Sequence, residues 1–363
     1  MSGIVKAIGP IRTAAPPRRR SYAANRGPAG ARGAIGRRSA PALGAAALLA
    51  LSLPSVCATA PARAQTLAIE TRDAYDFADL ARPGASVTIE GRLELPAGGR
   101  TRGAAILSHG AAGPGTRQRR AAERLAAAGI ATLTLDHFAA RGVGSTIADQ
   151  LRVTEQTMLA DLVAARAALA ERLGLAPGRI GVVGWSKGAT AALLAAAAPS
   201  FRFAAGDAAE PFAFVAAFYP FCGFALEDEA LAAPLLLLLG GADDWTPAAP
   251  CRAHADAWRE AATGPEVRVR FFPNARHGFD GGSGLRRVDR AITVRRRDAR
   301  CTLDLGADGV TRGLDGVHDL ATPEARAAWL GDCGVRGVTF GGDAEARAAA
   351  LDALVDFVRE RLR

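Results

Sequence analysis

The stretch RIGVVGWSKGATAALLAAAA, residues 179–198, decides the fold. Within residues 179–183, Ile180, Val182 and Val183 supply branched apolar side chains, the pattern of a strand buried in a sheet. Residues 187–198 are dominated by alanine and leucine and read as a helix. Between them stands Gly184-Trp185-Ser186-Lys187-Gly188, a G-x-S-x-G string. In a strand–turn–helix setting this string makes a tight elbow that lifts a serine hydroxyl above the sheet. Small residues beside Ser186 let the backbone cross closely, and the helix start brings N–H groups near the serine oxygen.

Working outward, strands and helices alternate. Residues 104–108, 212–218 and 235–239 are apolar runs, and 130–135 is a run of β-favouring residues. Such runs suit strands covered on both faces of a parallel sheet. Helical periodicity marks residues 117–128, 154–173, 250–262 and 345–361, with Thr154 as an N-cap. Residues 267–272 make a further strand, and alternation within residues 65–100 suggests an edge hairpin. The predicted fold class is therefore α/β: a doubly wound, mostly parallel sheet with helices on both faces. Only residues 280–342 break the rhythm. They are rich in Gly, Asp and Arg and read as an irregular excursion over the sheet.

Composition sets further bounds. Hydrophobic residues make up 49% of the 363, ample for a large core. The formal charge of +9 would suggest an anionic partner, but residues 1–64 hold Lys6 and nine Arg with no acid. Beyond them 35 basic residues face 36 acidic ones, so nucleic-acid binding is not expected. Those first 64 residues read as a signal peptide. A basic region ends in Arg37-Arg38, an apolar stretch follows, and Ala62-Arg63-Ala64 offers a cleavage site. The apolar stretch is too short for a span, so no membrane span is expected in the mature chain. The expected organisation is a leader at 1–64, then one domain at 65–363, exported to the periplasm or outside the cell.

Export changes the reading of the cysteines. Cys57 leaves with the leader, and Cys222, Cys251, Cys301 and Cys333 remain. An even number in an oxidising compartment suggests disulfides. We favour Cys222–Cys251 and Cys301–Cys333, the latter stapling the excursion. Their spacings do not match a zinc site, and no metal or other cofactor is expected.

A serine hydroxyl needs a base. His277, in a loop after the strand at 267–272 and followed by Gly278, suits that role better than His109, His137, His254 or His318. The carboxylate that orients the base should follow the strand at 235–239. Asp243 comes first, with Asp244 as the alternative. Oxyanion donors are expected at the backbone N–H of Lys187 and of Ala111, in the Gly-rich loop 107–113. His109 reads as a structural residue of that turn. Softer candidates for contacting substrate are Phe138, Arg141, Trp185 and Trp245, with Arg141 able to hold a carboxylate. The Lys187 side chain is expected to point into solvent.

Together the elbow, the early His109-Gly110 loop, Asp243-Asp244-Trp245-Thr246-Pro247, His277-Gly278-Phe279-Asp280 and the loop 136–142 resemble the dienelactone hydrolase family. The resemblance covers roughly residues 85–280 and the final helix. It implies an α/β-hydrolase fold and a triad at Ser186, Asp243 and His277. The founding members use a cysteine where this chain has Ser186, which points to a broader carboxylic-ester or lactone hydrolase acting on a small-molecule substrate. A polyester or cutinase-like hydrolase, a peptidase or an acyltransferase could use the same triad. An inactive relative acting as a binding protein is a further alternative.

Overall fold

The computed structural model describes residues 64–363, apart from 83, 227–229, 262–263 and 283. The expected leader and Cys57 lie outside the described residues, save Ala64. The order of elements is β1 (Gln65–Arg72), α1 (Phe77–Leu80), β2 (Ser86–Glu94), β3 (Ala104–Ser108), α2 (Thr116–Ala127) and β4 (Ala131–Asp136). There follow α3 (Glu155–Leu173), β5 (Ile180–Trp185), α4 (Lys187–Ala196), α5 (Ala198–Ala205), β6 (Val215–Phe218) and β7 (Leu235–Gly240). Then come α6 (Ala248–Glu260), β8 (Val267–Phe272), β9 (Arg286–Val294), β10 (Leu303–Leu305) and β11 (Thr311–Gly313). The chain closes with α7 (Pro323–Cys333), β12 (Gly334–Phe340) and α8 (Ala344–Arg361).

Eight strands form one sheet in the order β1-β2-β4-β3-β5-β6-β7-β8. β1 and β2 pair antiparallel at one edge, and β2 meets β4 antiparallel. From β4 to β8 every pairing is parallel. This is an α/β-hydrolase fold. Its helices cover both faces, which explains the unbroken apolar runs. Along β7, Leu235, Leu237 and Leu239 join the core packed by α3 to α6, whereas Leu236 and Leu238 join the core packed by α2 and α8. Alternating side chains thus reach opposite faces, and both faces are dry.

Local signals set several boundaries. Thr154 caps α3 by accepting from the Thr157 N–H at 3.1 Å, and Gly174 ends it in the left-handed region at φ 62°. The helix expected over 187–198 divides into α4 and α5, because Pro199 stands in the first turn of α5 and starts a new helix. The strand expected over 212–218 begins at Val215, although the Ala213 N–H already donates to Ile180 O at 2.9 Å.

Residues 280–342 are not irregular. They hold β9, β10, β11, α7 and β12, with β9 paired to β12 and β10 to β11. Val294, Cys301, Leu320, Trp329 and Cys333 give this segment a core of its own. Its period is hard to read because β9 begins with exposed charged residues and its ladder to β12 shifts register between Arg336 and Val338. Cys301 pairs with Cys333, and Cys222 with Cys251. Each closes a loop of about thirty residues, for which chain entropy gives roughly 3–4 kcal/mol.

Candidate active site

Ser186 stands between β5 and α4 with φ 52° and ψ −118°, a backbone rarely adopted by a side-chain-bearing residue. Such strain persists only where the surroundings enforce it. Here the Ser186 N–H donates to Phe218 O at 2.9 Å, and Ser186 O accepts the Thr190 N–H at 2.9 Å. The two glycines of the string have separate reasons. A Cβ on Gly184 would lie 2.3 Å from Gly188 O, and one on Gly188 would lie 2.4 Å from both Ser108 O and His109 O. The second approach packs the start of α4 against the end of β3, which brings the loop at 109–113 beside Ser186.

His277 follows β8 and places Nε2 2.9 Å from Ser186 Oγ. Its Nδ1 lies 2.9 Å from Asp243 Oδ2 and 3.0 Å from Thr246 Oγ1. The imidazole is buried between Tyr219 and Trp245, with ring centroids 4.6 and 4.7 Å away. Asp243 follows β7. Its Oδ1 accepts the N–H groups of Trp245 and Thr246 at 2.8 and 2.9 Å, so one oxygen is fixed and the other faces His277. Asp244 turns away, accepting the Thr339 N–H at 2.7 Å. Thr246 was missed in the sequence. Its hydroxyl reaches Tyr219 O at 3.0 Å and so ties the Asp243 turn to the residue after β6. A Thr three residues after Asp243 is the one available signal.

The loop after β3 passes close to the elbow: a Cβ on Gly110 would lie 3.1 Å from Trp185 O and 3.2 Å from Ser186 Cβ. Among the described residues, no loop or cap hydrogen bond takes up the N–H of Ala111 or of Lys187. The peptide that carries the Ala111 N–H is held through Gly110 O, which accepts from the Gly113 N–H at 3.1 Å and from His109 Nδ1 at 2.8 Å. The next peptide is held through Ala111 O by the Thr146 N–H at 2.8 Å and the Ser145 hydroxyl at 2.9 Å.

The sequence profile of the dienelactone hydrolase family matches residues 89–290, more than half of the chain, and includes Ser186, Asp243, Thr246 and His277. The chain belongs to the dienelactone hydrolase family. Membership of that family makes it a carboxylic-ester hydrolase. No curated protein matches it. Among solved structures it is similar to a dienelactone hydrolase-like promiscuous phosphotriesterase from metagenomic libraries. That match has 16% identity and a TM-score of 0.47, covering 82% of this chain and 98% of the other. It is also similar to apo esterase 2 of Thermogutta terrifontis, at 19% identity and TM-score 0.43, covering 62% and 88%. Dipeptidyl peptidase 4 of Porphyromonas gingivalis is a third, at 17% identity and TM-score 0.43, covering 61% and 33%. At these values the likenesses decide neither substrate nor mechanism.

Several expected contacts of this dienelactone hydrolase-family protein fall elsewhere. Arg141 is not free to hold a substrate carboxylate. It grips Asp161 through both terminal nitrogens at 2.9 and 3.0 Å, and its Nε donates to Asp73 at 2.6 Å. Phe138 is buried edge-on against His109, centroids 4.5 Å apart. Trp185 is buried too, stacked on Phe218 at 5.1 Å. The Lys187 side chain does not reach solvent. Its Nζ lies 2.9 Å from Glu155 Oε1 and 2.9 Å from Gln150 O. Only Trp245, of the four softer candidates, lines the space beside Ser186.

Asp280 also escaped the sequence. It is buried, and accepts from Tyr219 Oη at 2.6 Å, Trp185 Nε1 at 2.6 Å and Arg117 Nε at 3.1 Å. Burial, reinforced by the Asp280 charge, holds the Tyr219 phenol well above its ordinary pKa, so it stays a donor. This network braces the elbow and the His277 loop from behind.

His109 is a structural residue of its turn. Its Nε2 accepts the His137 N–H at 3.1 Å and its Nδ1 donates to Gly110 O at 2.8 Å, so a neutral ring uses both nitrogens. Burial and the neighbouring His137 lower its pKa to about 3. The unfolded chain therefore binds a proton below about pH 6.5 that the folded chain refuses until about pH 3. This group stabilises the fold fully above the upper value, and the stabilisation declines as pH falls through that window. The loss is about 1.4 kcal/mol per pH unit. Between about pH 7 and about pH 5, the wild type should lose about 2 kcal/mol more than His109→Gln in urea unfolding. Equal losses would rule this origin out.

Proposed function

We propose that the protein is an exported serine hydrolase that cleaves carboxylic esters or lactones through an acyl-enzyme. The observation that carries this reading is the unbroken hydrogen-bonded chain Ser186–His277–Asp243 at a strained elbow. His277 Nε2 takes the Ser186 proton as Oγ attacks the carbonyl carbon, forming the C–O bond to the enzyme. The carbonyl oxygen, now negative, meets the N–H groups of Ala111 and Lys187. His277 then gives its proton to the departing alcohol, and the acyl group stays on Ser186. Water, deprotonated by His277, cleaves that ester and restores the serine. Throughout, Asp243 holds Nδ1–H and stabilises the imidazolium.

The two disulfides support export, since such bonds persist in oxidising compartments. No helix among the described residues is long and apolar enough to cross a membrane. We read residues 1–64 as the leader and 65–363 as one hydrolase domain.

A fluorophosphonate reporter tests the class directly. Peptide mapping should find the label on Ser186, and pre-treatment with unlabelled reagent should abolish it. A folded chain that takes no label, or carries it on another serine, would favour a binding role or another nucleophile.

A further inference from the structure

Beside Ser186 lies a cavity of about 140 Å³. On the near side it is walled by Lys187, Thr190, Phe221, Trp245 and Thr246. Its far side is made by Ile292, Val294, Leu303, Leu320, Trp329 and Leu330. All six far residues come after residue 290, beyond the segment that matches the family. They belong to the folded excursion, whose small core includes Val294, Leu320, Trp329 and the Cys301–Cys333 disulfide. The family's shared frame thus supplies the nucleophile, and a part outside it supplies the wall.

Three properties of this space narrow what enters it. First, its volume is close to that of an engineered apolar cavity of about 150 Å³ that binds benzene, so it takes about one ring. Secondly, the charged side chains that line it are already matched. Lys187 Nζ is 2.9 Å from Glu155 Oε1, and Arg326 Nη2 stands 3.1 Å from Asp76 Oδ1 as an ion pair that lacks hydrogen-bond geometry. An entering carboxylate would have to compete with those acids in a desolvated site, which is costly. Thirdly, His277 is not among its walls. A leaving alkoxide takes its proton from His277 Nε2 and so departs on that side, which leaves the cavity to the other substituent of the carbonyl carbon.

We infer that this cavity is an acyl pocket built by the excursion, selecting an uncharged acyl group of about one ring. The assignment rests on the hydrolase reading above. It differs from that reading in specifying which ester is cut, and it assigns the choice to residues after 290.

The test is kcat/KM of the purified full chain on p-nitrophenyl acetate, cyclohexanecarboxylate, laurate and the anionic hemiglutarate. Each value is divided by the alkaline hydrolysis constant of that ester. Cyclohexanecarboxylate should exceed both laurate and hemiglutarate by at least about tenfold. Leu330→Trp, which fills the far side, should lower the cyclohexanecarboxylate-to-acetate ratio at least about tenfold. Ile292→Ala, which enlarges it, should raise the laurate-to-cyclohexanecarboxylate ratio. These opposite shifts are ratios within one preparation, so a poorly folding variant does not mimic them. Hemiglutarate cut as well as cyclohexanecarboxylate, or ratios unmoved in both variants, would overturn the pocket assignment while leaving the hydrolase. If no ester is cut, acetate included, the hydrolase reading itself falls and takes the pocket with it.

Discussion

Ser186→Ala should lower kcat for p-nitrophenyl acetate by on the order of 10⁵-fold. The reason is geometric. Ser186 Oγ is the atom 2.9 Å from His277 Nε2, and alanine leaves the imidazole with no hydroxyl to deprotonate. Residual turnover over water, about 10³- to 10⁴-fold, would come from binding and the oxyanion donors alone. Stability should change little. Alanine keeps the Cβ that occupies φ 52°, and the bonds that hold the elbow, from the Ser186 N–H to Phe218 O and from the Thr190 N–H to Ser186 O, are backbone bonds. Stopped assays on matched preparations, with unfolding followed by circular dichroism, separate the two effects. A folded Ser186→Ala protein that retains more than about one hundredth of the wild-type rate would remove Ser186 as nucleophile.

How much of this was legible in the sequence depends on how local each cause is. The elbow was legible because its cause is local: Gly184 and Gly188 are required by contacts within the strand–turn–helix unit and its immediate neighbour strand. The parallel sheet was legible because a strand with two dry faces must be apolar throughout, as Leu235 to Leu239 are. His277 and Asp243 followed from that topology, since ligand sites gather at the carboxyl ends of such strands. Asp243 was preferred over Asp244 from the sequence only because it comes first off the strand. In the structure Asp243 Oδ2 lies 2.9 Å from His277 Nδ1, whereas Asp244 accepts the Thr339 N–H at 2.7 Å. Arg141 shows the opposite limit. Its partner Asp161 lies twenty residues away inside α3, and no pattern in the intervening sequence pairs them. Lys187 misled for a related reason: a lysine at a helix start reads as solvated, but Glu155 and Gln150 close over it. The excursion failed as a pattern because its strands are short or register-shifted and carry many charges, so burial there does not write a clean period.

Asp243→Asn should lower kcat by about 10⁴-fold, close to 5.5 kcal/mol of transition-state stabilisation. The hydrogen bonds dictate the direction. Oδ1 of Asp243 accepts two backbone N–H groups, from Trp245 and Thr246, so an asparagine would keep its carbonyl oxygen there. Its NH₂ would then take the place of Oδ2 and point at His277 Nδ1. Two donors cannot face each other, so the imidazole would shift its proton from Nδ1 to Nε2. With Nε2 protonated, it could no longer accept the proton of Ser186 2.9 Å away. The fold should survive, because the substitution is isosteric and Oδ1 keeps its partners. Asp244→Asn is the matched control. Its carboxylate meets the Thr339 N–H and stands 4.0 Å from Arg295, away from the imidazole, so the rate should stay within about threefold of wild type. Single-turnover acylation of both variants by p-nitrophenyl acetate makes the comparison. Loss confined to Asp243→Asn supports the assignment. Loss confined to Asp244→Asn would transfer the role of the acid to the neighbouring carboxylate and require a different arrangement of the His277 loop during catalysis.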